Sequence, residues 1–238
     1  MGMIDIHSHI LPSVDDGAKS WEMAVEMCHM AAADGITHMV ATPHSNDQFR
    51  YDRKKHEATL SQLRDKLNGT MELSLGCDFH MSFDNIVAVR KDPKEFCIGS
   101  TNYLLVEFSD FGVSRQVLKT LEEFLDFGLI PIVTHPERNA ILQAKPEIVV
   151  DMAAMGCVIQ VTANSLTGFW GGGPRKISEW LLKKGALHVL ASDAHDPTRR
   201  TPVLSKGKAA VVAIAGEDIA NRLVSENPEA IIRGESLP

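Results

Sequence analysis

Two pairs of metal-ligating side chains occur in this sequence at the same short spacing. His7 and His9 lie two residues apart in the stretch MIDIHSH, and Asp193 and His195 lie two residues apart in the stretch LASDAH. In a β-strand, side chains at positions i and i+2 point to the same face, so each pair can reach one metal ion. Mixed imidazole and carboxylate ligands favour zinc, manganese or iron, whereas calcium binds oxygen ligands. The spacing therefore predicts metal chemistry.

Other histidines and carboxylates follow apolar runs along the whole chain. The stretches ATPH, LGCDFH, LLVEFSD and IVTHPER each carry such a residue at or near the end of a run, and VDDG adds a pair of aspartates. The candidate metal ligands are then His7, His9, Asp16, His44, Asp78, Glu107, His135, Asp193 and His195. These are too many for one ion, and they suit two or three ions with bridging carboxylates.

The carboxylates among these candidates set an electrostatic condition. Four of them in one cavity would carry a charge of about −4, and like charges a few ångströms apart do not all stay ionised without compensation. Three divalent cations would change that charge to about +2. A positively charged cavity in an acidic protein is suited to an anionic substrate.

The elements that must position these residues alternate along the chain. Short apolar runs predict seven strands, over residues 3–7, 36–42, 71–76, 103–108, 129–134, 157–162 and 186–192. Amphipathic segments predict helices over residues 20–34, 52–67, 82–91, 113–127, 146–155 and 175–184, with a helical tail over 203–233. Continuous apolar strands separated by helices are typical of a parallel sheet covered on both faces. We predict an α/β fold with one domain over residues 3–238, either a (β/α) barrel or a doubly wound open sheet. Barrel enzymes carry their sites at the carboxyl ends of the strands.

Composition limits the partners and the location. The chain has 238 residues, a net charge of −7 and no run of lysine or arginine, which argues against a nucleic-acid surface. Its four cysteines are scattered without a CxxC pair, which predicts reduced thiols in a cytoplasmic protein. No apolar run is long enough to span a bilayer, and we expect no signal peptide. The composition does not indicate an oligomeric state.

The remaining histidines and one acidic residue have simpler interpretations. Asp15 is expected to cap the turn into the first helix, and His80 either adds a ligand or lines the mouth of the site. Ordinary surface or core positions are expected for the histidines inside helices or in mid-strand, which are His29, His38, His56 and His188.

Several stretches of the chain resemble the polymerase and histidinol phosphatase (PHP) superfamily. Within it, the stretches DIHSHILPSVDDG, ATPH, LLVEFS, THPER, QVTANSLTG and ASDAH are similar to the bacterial manganese-dependent protein tyrosine phosphatases of the CpsB/YwqE capsular polysaccharide type. The resemblance covers residues 3–233. It implies a distorted seven-stranded (β/α)7 barrel with a trinuclear metal site, whose ligands fall on the candidates named above.

The resemblance also implies two phosphate-binding arginines. They match Arg138, in HPER, and Arg200, in DPTRRTP, although the neighbouring Arg199 leaves the second assignment ambiguous by one residue. The family usually has glutamate where this chain has Asp78. Because aspartate is one methylene shorter, bridging distances and metal preference are expected to differ.

The reaction that the resemblance implies is hydrolysis of phosphotyrosine monoesters, with two to three divalent ions, most commonly Mn²⁺, and iron or zinc as alternatives. A metal lowers the pKa of bound water, and the resulting hydroxide attacks phosphorus in line while the arginines stabilise the equatorial oxygens. No cysteine is followed by arginine six positions later, so the thiolate phosphatase signature is absent. Asp110, Asp196 and a metal-bound water are the candidates for the acid that protonates the leaving group.

The implied partner is the phosphotyrosine-rich tail of a bacterial tyrosine kinase that regulates polysaccharide synthesis and export. The alternatives are a small-molecule phosphatase such as histidinol phosphatase, a phosphodiesterase or nuclease, and a metal-free scaffold. Ligating residue types at every candidate position argue against the scaffold, and the acidic composition argues against the nuclease.

The stretch SLTGFWGGGPRK, residues 165–176, supports two interpretations. Its three consecutive glycines form a hinge that lets Phe169 and Trp170 flank an aromatic substrate, or it is an ordinary loop whose aromatic side chains pack on the barrel rim.

Overall fold

A computed structural model describes residues 2–109 and 113–238 of the chain. Within these residues, nine β-strands form two sheets in which every pairing is parallel. The strands are β1 (Met3–Ser8), β2 (Ile36–Ala41), β3 (His44–Ser45), β4 (Glu72–Leu75), β5 (Asp78–His80), β6 (Tyr103–Glu107), β7 (Ile130–Thr134), β8 (Val158–Thr162) and β9 (Val189–Ala191). The first sheet has the order β1-β2-β4, and the second has the order β3-β5-β6-β7-β8-β9.

Two of the predicted strands are each followed, after a two-residue interruption, by a short strand that lies outside the predicted ranges. Thr42 and Pro43 separate β2 from β3, and Gly76 and Cys77 separate β4 from β5. Pro43 has no N–H to donate to the ladder, so regular pairing breaks there. Its carbonyl oxygen instead accepts the N–H of Asp78 at 3.1 Å, which connects the two interrupted strands.

Hydrogen bonds join the carboxyl ends of the first and last strands. The Asp193 N–H donates to the His7 carbonyl oxygen at 2.9 Å. The buried Asp5 carboxylate accepts the Ser192 N–H at 3.0 Å and the Ser192 hydroxyl at 2.5 Å. These bonds place β1 beside the end of β9. The predicted α/β class with parallel strands is confirmed, but the structure has nine strand segments in two sheets where the sequence predicted seven strands.

Helices follow most strands at the predicted positions. They are α1 (Trp21–Ala33), α2 (Arg53–Leu67), α3 (Phe83–Lys91), α4 (Arg115–Asp126), α5 (Ala140–Ala144), α6 (Glu147–Met155), α7 (Gly172–Lys183), α8 (Ser205–Ala215), α9 (Glu217–Asn221) and α10 (Asn227–Arg233), with a π-helical turn over Arg222–Glu226. In the described part of the chain, no helix is both long and apolar enough to cross a membrane.

Local end signals account for several helix boundaries. Ser20 caps α1 by accepting the Met23 N–H on its hydroxyl at 3.3 Å, and Gly156 ends α6 in the left-handed region at a φ of 116°. Helix α7 begins at Gly172, three residues before the predicted start at residue 175. Gly172 and Gly173 therefore form its first turn, and of the three consecutive glycines only Gly171 precedes the helix.

Buried apolar side chains of the strands and helices form two clusters. The larger cluster packs helix residues such as Met27 and Leu60 against the sheets. The smaller one joins residues from separate strands, including Ile6, Ile132 and Val189. The apolar runs that predicted the elements thus supply the core. The polar residues at the ends of these runs lie outside the core, at the carboxyl ends of the strands.

Candidate metal centre

All nine predicted ligands meet at the carboxyl ends of the strands. They fall into four overlapping groups, and within each group the ligating atoms lie within 4.8 Å of one another. The groups are His9, Asp16, His44 and His195; His7, Asp78 and His135; His7, His9 and Asp193; and His44, Asp78 and Glu107. The geometry suits metal ligation, which itself stays a prediction. Outside these groups lie His29, His38, His56, His80 and His188.

The two predicted pairs of ligands meet at the junction of β1 and β9. The Oδ1 atom of Asp193 lies 3.5 Å from His7 Nε2 and 3.5 Å from His9 Nε2. The same oxygen lies 3.6 Å from His195 Nδ1. A single carboxylate oxygen therefore faces three imidazoles, all of which are buried.

Asp78 connects separate groups of ligands. Its Oδ2 lies 3.4 Å from His7 Nε2 and 3.2 Å from His44 Nδ1. The side chain is fully buried, and neither carboxylate oxygen has a hydrogen-bond partner among the described residues. Buried carboxylates of this kind are costly without a cation. The shorter aspartate at this position still reaches both imidazoles, so the departure from the expected glutamate does not break the cluster.

The outer ligands extend the cluster to the cavity. Glu107 lies 3.5 Å from His135 Nε2 and 3.8 Å from His44 Nδ1 through its two carboxylate oxygens. Asp16 Oδ1 lies 3.3 Å from both His44 Nε2 and His195 Nε2. Asp16 is the most exposed member, which places it at the entrance.

Protonated histidines balance the carboxylates in this arrangement. Burial by itself lowers the pKa of His7, but the carboxylates of Asp78 and Asp193 outweigh burial and raise that pKa to about 9. Asp16 and Asp78 likewise outweigh burial at His44 and raise its pKa to about 11. Divalent cations would take over this compensation, and the histidines would release their protons as the cations bind. The donor set therefore fits divalent cations.

Two further imidazoles in the site are shifted toward the neutral form, whereas one carboxyl group is shifted toward the protonated form. Burial, reinforced by the positive charge of Arg138, lowers the pKa of His135 well below its usual range. Burial also lowers the pKa of His195 to about 4, so both imidazoles are neutral, which is the ligating form. Burial and the nearby Asp78 charge raise the pKa of Glu107 to about 7.

Two of the ligands have unusual backbone conformations. His135 has φ 35° and ψ 48°, and Asp193 has a φ of 51°. Both lie in the left-handed region, which side chains larger than glycine rarely adopt and which costs about 1–3 kcal/mol. The surrounding structure therefore holds these two residues in an unfavourable conformation just after their strands end, and their side chains lie in the cluster.

Hydrogen bonds from behind the cluster orient two imidazoles. His9 Nδ1–H donates to Asp15 Oδ2 at 2.8 Å, and His7 Nδ1–H donates to Gln160 Oε1 at 2.9 Å. Both rings then present Nε2 to the other ligands. Asp15 accepts the Gly17 N–H, as expected for a residue that caps a turn. Its hydrogen bond with His9 also orients that imidazole, a role that the sequence did not predict.

Replacing Gln160 with leucine is expected to weaken metal binding by about 10–100-fold, because His7 would lose the acceptor that selects its Nδ1–H tautomer. Metal titration of the purified variant measures this. Gln160→Glu is the matched control, because it keeps an oxygen at the same position. Equal metal affinity in the leucine variant and the native chain would contradict the role of Gln160.

The predicted phosphate-binding arginines converge on one oxygen of the cluster. Arg138 Nη1 lies 2.6 Å and Arg200 Nη2 lies 2.5 Å from Asp193 Oδ2. Both arginines line a cavity of about 420 Å³ together with Glu107, His135 and other predicted ligands. Of the two neighbouring arginines, Arg200 lines the cavity, whereas Arg199 is exposed and absent from the lining, so the geometry favours Arg200, and phosphate binding itself stays a prediction.

The candidates for a leaving-group acid have different positions. Asp196 accepts the Arg199 N–H, the Thr198 N–H and hydroxyl, and, at 3.2 Å, the Arg200 N–H. These bonds favour the carboxylate and hold its pKa well below its usual range, so Asp196 positions the turn and is a poor acid. Asp110 lies outside the described residues. His80 lines a neighbouring cavity of about 460 Å³, as expected for a residue at the mouth.

The sequence of this chain also matches a protein-family model. The family model for capsular polysaccharide synthesis, CpsB/CapC, matches residues 3–233. This chain belongs to the CpsB/CapC family. One relative, a putative tyrosine-protein phosphatase CapC of Staphylococcus aureus, is 33% identical over 210 residues, which cover 86% of this chain and 81% of CapC.

Two further comparisons cover nearly the whole CpsB/CapC chain. The tyrosine-protein phosphatase YwqE of Bacillus subtilis (strain 168) is 28% identical over 242 residues, which are 99% of this chain and 93% of YwqE. A solved structure from work on YwqE of Bacillus subtilis and CpsB of Streptococcus pneumoniae, described as unique metal-dependent tyrosine phosphatases, superposes with a TM-score of 0.90. It is 27% identical and covers 99% of this chain and 96% of that one.

In this CpsB/CapC chain, sequence reasoning missed several residues that support the ligands. Strand β8 has no predicted ligand, yet Gln160 orients His7, and the Thr162 N–H binds the buried Glu137 carboxylate at 3.0 Å. Asp5, which ties β1 to Ser192, was also missed. A polar residue inside an otherwise apolar strand was the available signal for both Asp5 and Gln160.

Proposed function

We propose that this chain is a metal-dependent protein tyrosine phosphatase. The observation that carries the proposal is the single cavity in which ligating imidazoles and carboxylates lie beside two arginines, Arg138 and Arg200. The tyrosine phosphatases among its relatives support the same activity. By analogy with the capsular polysaccharide family, the substrate is a phosphotyrosine protein, namely the tail of a bacterial tyrosine kinase that regulates polysaccharide synthesis and export.

The cofactors in this proposal are two to three divalent ions, with Mn²⁺ as the first choice. Four overlapping ligand groups and the fully buried Asp78 carboxylate, whose oxygens accept no hydrogen bond among the described residues, support more than one ion. When bound, such ions activate water as a nucleophile and neutralise phosphate charge. The ligands would be the nine side chains of the candidate metal centre.

The arginines bind and orient the phosphoryl group. Their guanidinium groups approach the same side of the cluster at Asp193 Oδ2, with distances of 2.6 and 2.5 Å. A planar guanidinium donates two parallel hydrogen bonds to phosphate oxygens, and it stabilises the charge carried by the equatorial oxygens in the transition state. An incoming phosphate oxygen replaces the Asp193 contact as the acceptor for these donors.

The pKa of the leaving group makes aryl phosphates the favoured substrates. A tyrosyl oxygen has a pKa near about 10, so it departs with less protonation than an alkyl alcohol requires. Asp196, the described candidate for an acid, is instead engaged by backbone N–H groups. If no other residue supplies the proton, the described part of the site discriminates in favour of phosphotyrosine over phosphoserine.

Kinetics on a substrate panel test the proposal. Metal-replete protein is assayed on a phosphotyrosyl peptide, the matched phosphoseryl peptide and histidinol phosphate, with and without added Mn²⁺, and its metal content is measured. We expect the phosphotyrosyl peptide to give the highest kcat/KM and chelation to abolish turnover. Faster hydrolysis of histidinol phosphate would replace the proposal with a small-molecule phosphatase. Native protein without stoichiometric metal and without turnover would indicate a scaffold.

Thiol alkylation tests whether the activity depends on a cysteine nucleophile instead of a metal centre. All four cysteines are buried, and burial raises the pKa of Cys28 and Cys157 to about 12 and that of Cys97 to about 11. Iodoacetamide is therefore expected to leave the native protein unlabelled and fully active, since thiols rather than thiolates are present. Mass spectrometry counts the labels, and urea-unfolded protein, labelled at every cysteine, is the control. Loss of activity on native labelling would contradict the metal mechanism.

A further inference from the structure

The aromatic loop between β8 and α7 reaches the two arginines of the cavity. The Cζ atom of Arg138 lies 4.8 Å from the ring centroid of Trp170, and the Cζ atom of Arg200 lies 5.6 Å from the same centroid. The indole of Trp170 also lines the cavity itself. One ring therefore contacts both of the cationic groups that face the candidate metal ligands.

The position of this ring is itself held by the short turn that follows β8. Trp170 Nε1–H donates to Asn164 Oδ1 at 2.7 Å, and the Asn164 carbonyl oxygen accepts the Phe169 N–H at 3.1 Å. Phe169 packs edge-on against the indole, with ring centroids 5.0 Å apart and planes at 85°. The half-buried indole thus has a fixed orientation before any ligand arrives.

We propose that Trp170 is a positioning residue that holds Arg138 and Arg200 together as one anion-binding unit. Two guanidinium groups at one carboxylate oxygen repel each other, and the negative face of an aromatic ring offsets part of that repulsion. A contact with the ring uses the face of a guanidinium and leaves its N–H edge for phosphate oxygens. The ring therefore fixes the orientation of both cations without competing for their donors.

This inference rests on the proposed function, because it assumes that the arginines bind phosphate. It differs from the interpretation in which Trp170 stacks on the substrate's aromatic ring. Stacking would affect aryl substrates only, whereas positioning affects every phosphate ligand, including one without a ring. Inorganic phosphate is therefore the probe that separates the two roles.

The experiment measures inorganic phosphate binding by calorimetry on metal-loaded protein, together with KM and kcat for p-nitrophenyl phosphate. Trp170→Leu is expected to weaken phosphate binding about tenfold and to raise KM by a similar factor, as expected for the loss of two cation–π contacts. Trp170→Phe keeps an aromatic face and should recover most of the affinity. Trp180→Leu is the control, because Trp180 on α7 lies beside Lys184 and does not line the cavity, so this variant should bind phosphate normally. Metal content and melting temperature confirm that each variant is folded.

The outcomes separate failure of this inference from failure of the proposed function. Unchanged phosphate affinity in Trp170→Leu with a raised KM for the aryl substrate would overturn positioning in favour of stacking. An equal loss in the leucine and phenylalanine variants would also overturn it. If the native chain binds phosphate in a Trp170-dependent way but hydrolyses no phosphotyrosyl peptide, the proposed function fails and the inference stands. Absence of phosphate binding by the native chain would overturn both.

The double variant Arg138→Ala with Trp170→Leu provides a second readout. If the indole acts through the arginines, removing Trp170 should cost less phosphate affinity once Arg138 is gone. Strictly additive losses would show that the indole acts independently of Arg138, and they would contradict the positioning role.

Discussion

Replacing His135 with alanine is expected to remove bound metal and to lower kcat/KM by more than about a hundredfold. The loss of a partner that only orients a ligand costs about 10–100-fold, and loss of the ligand itself should cost more. His135 groups with His7 and Asp78, and its Nε2 lies 3.5 Å from Glu107. The imidazole of His135 is neutral, which is the metal-ligating form, and its backbone is left-handed. Alanine at this position offers the metal no ligand atom. Elemental analysis and steady-state kinetics measure the two effects.

His29→Ala is the matched control for this prediction. His29 lies exposed on α1 and belongs to none of the ligand groups, so its variant should keep full metal content and activity. Normal turnover with native metal content in His135→Ala would show that the centre has been placed wrongly. Loss of turnover with normal metal content would move His135 from a ligand to a group acting on substrate.

Replacing Arg138 with alanine is expected to lower kcat/KM by about 10²–10³ while the metal content stays near native, because removal of one preorganised donor to a developing anion has this effect. The guanidinium contacts Asp193 Oδ2, whereas the Oδ1 atom faces the imidazoles. The ligand side of Asp193 therefore survives the substitution. Kinetics on the phosphotyrosyl peptide and elemental analysis of the same preparation measure the two quantities.

Two variants give this prediction its controls. Arg138→Lys keeps the charge but not the planar fork, so its activity should fall between those of the native chain and the alanine variant. Arg175→Ala removes an exposed arginine that pairs with Glu179 on α7, and it should have native activity. Metal loss in Arg138→Ala as severe as that in His135→Ala would contradict the separation of the anion site from the metal centre.

The elements and the candidate ligands were accessible from sequence because their signals are local. Apolar runs bounded by glycine and capping residues predicted seven of the nine described strands, and ligating residues were visible at or just after the ends of those runs. The interrupted strands were not predicted as separate segments. Their breaks depend on how Pro43 and Gly76 meet neighbouring strands, and the single sequence contains no pairing information.

In the turn that carries Arg199 and Arg200, local sequence patterns do not predict which arginine faces the site. Arg199 and Arg200 are adjacent and identical in type, so no periodicity distinguishes them. The hydrogen bonds that Asp196 accepts from the turn set its conformation, with Arg199 exposed and Arg200 beside Asp193. The same applies to Trp170, whose two sequence interpretations differed only in what the indole would touch.

The amino-acid sequence alone was enough to indicate the chemical types at the site, an α/β architecture and the strand ends where ligating groups accumulate, because burial periodicity and side-chain chemistry are properties of short stretches. Three-dimensional packing was needed to reveal which carboxylate oxygen faces which imidazole, why Asp15 and Gln160 lie behind the ligands, and how Trp170 contacts both arginines. These are contacts between residues far apart in the chain. Their distances depend on how the strands align across the fold, and no single stretch encodes that alignment.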